Sequence, residues 1–133
     1  MNDRFEIIQV THDYCWALDT KSWDDLDEVF LPDATADLGW PLEGRDAIKA
    51  RIRAALEPLD DSQHLVATHQ VRVGGDEATC RCYLQAQHLR DGDTFMYAGR
   101  YEDRFVRASD GWRIAHREIV QMWTAGNPAV VRR

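Results

Sequence analysis

Three glycine turns constrain this chain more than any other feature. Gly74-Gly75, Asp91-Gly92 and Asp110-Gly111 cut its second half into four long segments, roughly 63–73, 77–90, 94–107 and 111–123. Glycine supplies the positive φ that tight hairpins need, so each segment reads as a strand. Consecutive hairpins give an antiparallel meander. Such a sheet, curled around helices from the first half, buries their apolar stripes and leaves a pocket.

The first half reads as three helices. In residues 4–19, Phe5, Ile8, His12, Cys15 and Asp19 recur at steps of three and four and share one face. Ser22-Trp23-Asp24-Asp25 resembles a capping box and opens a short helix with Trp23, Leu26 and Phe30, which Pro32 ends. Ala34 to Leu38 reads as a short strand. Gly44 precedes a third helix whose inner face carries Ile48, Ile52, Ala55 and Leu56, and Pro58 closes it. Helices followed by hairpins predict an α+β fold. The 133 residues suit one domain spanning 1–133.

Composition narrows the function. No run approaches the ~20 apolar residues of a membrane helix, and the first ten residues lack a signal-peptide core. The expectation is a cytoplasmic protein without a membrane partner. The net charge is −7, with 11 acidic and 2 basic side chains in residues 1–43. Such a chain repels phosphate backbones, so a nucleic-acid partner is not expected. Asp24, Asp25, Asp27 and Glu28 read as a solvated face. Cys15, Cys80 and Cys82 are odd in number and form no CxxC pair, so they read as reduced core residues. Five histidines show no HxH or HxxxH spacing, so no metal site is expected.

Three residues carry the chemistry most readily. Around a helix, Asp19 lies about 20° from Ile8 and 40° from Cys15. A carboxylate on an inward stripe needs a partner; otherwise Asp19 bonds a turn amide or Lys21 at the helix end. His64 opens the first long strand, where both faces mix apolar and polar residues, so alternation leaves its side open. His88 ends the face Ala78, Cys80, Cys82, Leu84, Ala86, whose small side chains leave room for a cavity. It reads equally well as a satisfied core histidine. His12 shares the Asp19 face, while His69 and His116 read as structural. Trp16, Trp23, Trp40, Tyr97, Tyr101 and Trp123 are core by default. Among the aromatics, Tyr14, Trp40, Tyr97 and Tyr101 are the candidates to bind a substrate.

Five short motifs in order resemble the SnoaL-like branch of the nuclear transport factor 2-like superfamily. They are Tyr14-Cys-Trp-Ala-Leu-Asp19-Thr-Lys-Ser-Trp23, Phe30-Leu-Pro-Asp33-Ala, Gly44-Arg-Asp-Ala-Ile48, Gln63-His64 and Asp110-Gly-Trp112-Arg-Ile114. Within it the chain looks most like scytalone dehydratase. Asp19-Thr-Lys-Ser-Trp23 is similar to the segment with the catalytic aspartate, and Gln63-His64 to that with its paired histidine. Gln87-His88-Leu-Arg90 is similar to the segment with the second active-site histidine. Leu18 and Leu38 stand where two tyrosines hold the catalytic water in that enzyme, which leaves the general acid unassigned.

The resemblance implies a cone-shaped α+β barrel, with N-terminal helices packed in a curved antiparallel sheet. It implies a deep pocket without metal or cofactor, and a homo-oligomer, dimer or trimer. Asp19 and His64 would form a general-base dyad, and His88 would bond the substrate oxygen or protonate the leaving group. The function expected is a dehydratase-like lyase or isomerase acting on a small cyclic or aromatic molecule. The alternative is a non-catalytic module of the same fold that binds a small ligand or pairs subunits.

Overall fold

The computed structural model describes residues 2–132. Helix α1 (Asp3–Asp19) leads through a 3₁₀ turn (Trp23–Glu28) into β1 (Phe30–Asp37) and β2 (Pro41–Glu43). Helix α2 (Arg45–Leu56) follows. Strands β3 (Asp61–Gly74), β4 (Glu77–Arg90), β5 (Asp93–Ala108) and β6 (Gly111–Gly126) complete one six-stranded sheet. Its order is β2-β1-β6-β5-β4-β3. All neighbours are antiparallel except β1 and β6, which run parallel. The sheet expected to be antiparallel is therefore mixed at one pairing.

The concave face of the sheet and the helices share one core. On β4 burial alternates strictly, and Ala78, Cys80, Cys82, Leu84, Ala86 and His88 all point inward. Ile7, Phe30, Phe105 and Ile114 are wholly buried, and each such side chain stabilises the fold by about 1.5–3 kcal/mol. No helix among the described residues is long and apolar enough to cross a membrane.

Four local expectations are corrected. Helix α1 buries Ile7, Thr11, Tyr14 and Leu18, while Phe5 is 63% exposed. Two stripes of α1 fit steps of three and four, and the expected one, through His12, Cys15 and Asp19, is the edge that faces β3. Ser22 makes no side-chain cap, and the second helix is only a 3₁₀ turn. Pro32 does not end it, because the turn closes at Glu28 and Pro32 lies within β1. There the pairing with β6 is irregular between Phe30 and Thr35, which spares proline a ladder bond. The short strand β2 carried no sequence signal.

Strand β3 explains why alternation left His64 undecided. Its pairing with β4 is broken by a bulge between Ala67 and Gln70, where Thr68 takes φ +61°. His64 and Val71, seven residues apart, are both buried. In a regular strand they would face opposite sides.

Candidate active site

Asp19 is the last residue of α1, and the helix ends in a Schellman motif. Lys21 takes φ +55°, its amide donates to the Leu18 carbonyl at 3.2 Å, and that of Ser22 donates to Ala17 at 2.8 Å. The Lys21 ammonium donates to the carbonyls of Glu57 and Leu59 at 2.9 and 2.7 Å, tying the turn to the end of α2. Lys21 is thus occupied elsewhere, and Asp19 is free to face β3.

There the carboxylate accepts three hydrogen bonds. His64 Nδ1–H donates to Oδ1 at 2.6 Å, the His64 amide donates to Oδ2 at 2.8 Å, and Ser62 Oγ donates to Oδ1 at 3.1 Å. The backbone contact fixes the strand and the ring contact fixes the imidazole tautomer, so the pair is held at two points. His88 comes from β4, the neighbouring strand. Its ring stands edge-on to His64 with centroids 5.8 Å apart, and its Nδ1–H donates to the Phe95 carbonyl at 2.9 Å. Burial holds the His88 pKa below the ordinary 6.5, against the opposing pull of the Phe95 carbonyl.

These side chains line a cavity of about 630 Å³, together with His12, Trp16 and Val66. Trp16 was not among the expected site residues. It sits four residues after His12 and three before Asp19, and that spacing could have marked it. Cys15 also lines the cavity. Burial pushes its thiol up to about 12, so it supplies no thiolate near neutral pH.

The four aromatic residues expected to bind substrate are not part of this lining. Tyr14 and Tyr101 are buried against Arg117, whose guanidinium lies 4.3 and 3.7 Å from their ring centres. Arg117 forks onto Asp103, with Nε–H and Nη2–H donating at 2.8 and 2.7 Å and both side chains wholly buried. This core ion pair was invisible in the sequence. Trp40 lies at the surface under Arg51, 4.0 Å from ring centre to guanidinium. Tyr97 packs against the edge of the core, where burial raises its hydroxyl pKa. His69 donates from Nε2 to Thr11 Oγ at 2.8 Å, since the Thr11 hydroxyl is spent on the Ile8 carbonyl at 2.6 Å. His116 Nδ1 bonds the Thr35 hydroxyl at 2.7 Å.

Comparison with known proteins places this geometry among relatives. A family model described as SnoaL-like domain matches residues 1–118. An uncharacterized protein of Mycobacterium tuberculosis (strain ATCC 25618 / H37Rv) is 39% identical over 124 residues, covering 88% of this chain and 84% of its own. The crystal structure of a Kribbella flavida protein superposes with a TM-score of 0.91 at 26% identity, covering 98% of this chain and 97% of that one. A Novosphingobium aromaticivorans structure provisionally described as a scytalone dehydratase gives 0.85 at 22% identity, over 93% and 87%. The sheet and helices form the cone of the nuclear transport factor 2-like fold.

Proposed function

We propose that this chain, which belongs to the SnoaL-like domain family, is a dehydratase-like lyase or an isomerase. It acts without a cofactor on a small cyclic or aromatic organic molecule. The observation that carries this reading is the 2.6 Å contact of His64 with Asp19 at the wall of a cavity large enough for such a ligand.

The chemistry follows from the contact. With Nδ1–H committed to Asp19, His64 turns Nε2 to the cavity as a base. An imidazole suits proton abstraction near neutral pH because its reference pKa is about 6.5. The imidazolium formed is stabilised by the carboxylate beside it. The small side chains of β4 from Ala78 to Ala86 do not line the cavity; Cys15, Trp16 and Val66 supply its apolar surface instead, and such surface beside the reacting groups strengthens these interactions.

The test is turnover on a panel of cyclic hydroxy ketones and aromatic alcohols, followed by ultraviolet absorbance. Against a substrate so found, His64→Ala lowers turnover by about 10²–10⁴-fold, and Asp19→Asn lowers it while leaving the fold intact by circular dichroism. Full turnover by both variants would refute the dyad and leave a ligand-binding module of the same fold.

A further inference from the structure

The hydrogen-bonding roles of the two cavity histidines follow from their fixed partners. A carbonyl oxygen can only accept, so the contact with Phe95 places the His88 proton on Nδ1. The Asp19 carboxylate places that of His64 on Nδ1 in the same way. Among the described residues neither Nε2 has a protein partner, and neither belongs to the buried polar atoms sealed without one. The Nε2 atoms of both rings therefore open on one cavity, on rings at 86° to each other, and a neutral ring so held presents its lone pair there.

We propose that His88 is a fixed hydrogen-bond acceptor that selects ligands carrying a hydroxyl, phenolic or enolic, beside the C–H bond that His64 attacks. This inference rests on the function proposed above and assigns its substrate class. A ligand offering only a carbonyl or ether oxygen to His88 meets a lone pair with a lone pair. A hydroxyl meets it as a donor and is oriented by a ring that the Phe95 carbonyl holds in place. Burial and the His64 ring on β3 disfavour a second proton on His88, the Phe95 carbonyl on β5 and Asp19 on α1 favour one, and burial prevails.

Of the two roles expected for His88, the proposal takes the first, bonding a substrate oxygen, and leaves the leaving group's proton to His64. In a dehydration, His64 Nε2 takes the carbon-bound proton. The C–H electron pair becomes the new C=C bond as the C–O bond breaks. The same proton then passes from His64 to the departing hydroxide, which leaves as water.

Two measurements on the full chain decide this. Nitrogen-15 NMR of histidine-labelled protein at pH 7 should show His88 neutral and protonated at Nδ1. Calorimetric titration with 2-naphthol and with its methyl ether, 2-methoxynaphthalene, should favour the naphthol by about tenfold, the range of one net hydrogen bond. His88→Phe should erase that preference while still binding the ether, and His88→Gln, whose amide oxygen accepts, should keep part of it. Should the Phe variant not fold, the Gln variant and the NMR tautomer still decide. Protonation at Nε2, equal binding of both probes, binding of neither, or a preference that survives His88→Phe overturns the proposal. The dyad is judged separately, because these outcomes leave the effect of His64→Ala on turnover untouched.

Discussion

Asp19 and His64 stand 45 residues apart and meet because each is anchored by its own backbone. The Schellman turn fixes Asp19 at the end of α1, and the His64 amide reaches the same carboxylate as its ring. Two further residue-scale outcomes are expected. Removing one partner of the Arg117–Asp103 pair leaves a buried charge alone, so Asp103→Ala should cost about 3–5 kcal/mol in urea unfolding. The exchange of both partners for apolar residues should cost far less. Burial pushes the thiols of Cys15 and Cys80 up to about 12 and that of Cys82 up to about 11. Folded protein at pH 8 should therefore stay unlabelled by iodoacetamide over a period in which urea-unfolded protein is fully labelled.

The long strands show what sequence periodicity carries and what it misses. Strand β4 was legible because its inward face alternates without interruption from Ala78 to His88. Strand β3 was not, because a bulge at Thr68 shifts its alternation halfway along, and no residue type there announces one. Between β5 and β6 a second irregularity falls at Ala98 and Gly99. A Cβ on Gly99 would lie 2.4 Å from the Val120 carbonyl oxygen, in backbone that cannot swing aside. Gly99→Ala should thus destabilise the protein by about 1–3 kcal/mol, as overpacking does, read from the urea midpoint. The spacing predicts helix α1 to within a residue, yet a second set of residues, Ile7, Thr11, Tyr14 and Leu18, fits the same steps and is the stripe that is buried.

For the whole molecule, pH and assembly give the accessible tests. Burial lowers the pKa of His88, and burial with the His12 and Arg117 charges lowers that of His69. The unfolded chain then binds these protons more readily than the folded one. Stability is undiminished above about pH 6.5 and falls as pH drops below it. Melting temperatures should decline from pH 7 to 5, and less steeply in His88→Phe. The outer face of the sheet exposes Tyr83, Met122 and Trp123. We propose that this face is covered by a second or third copy of the chain. Sedimentation at micromolar concentration should give a multiple of 15.3 kDa, and a monomer alone would refute it.

The sequence by itself determined the order of helices and hairpins, the turns and the inward face of β4. All of these depend on residues near one another in the chain, where periodicity and glycine conformation act. It also marked Asp19, His64 and His88, the first and last by their faces and all three by family likeness. Only the tertiary structure decided which stripe of α1 is buried, that Tyr14 and Tyr101 clamp a core arginine, and that β1 lies parallel to β6. It alone decided which histidine nitrogen is left open to the cavity. Each of these turns on a partner distant in sequence: a carbonyl, a carboxylate or a neighbouring strand that local chemistry does not specify.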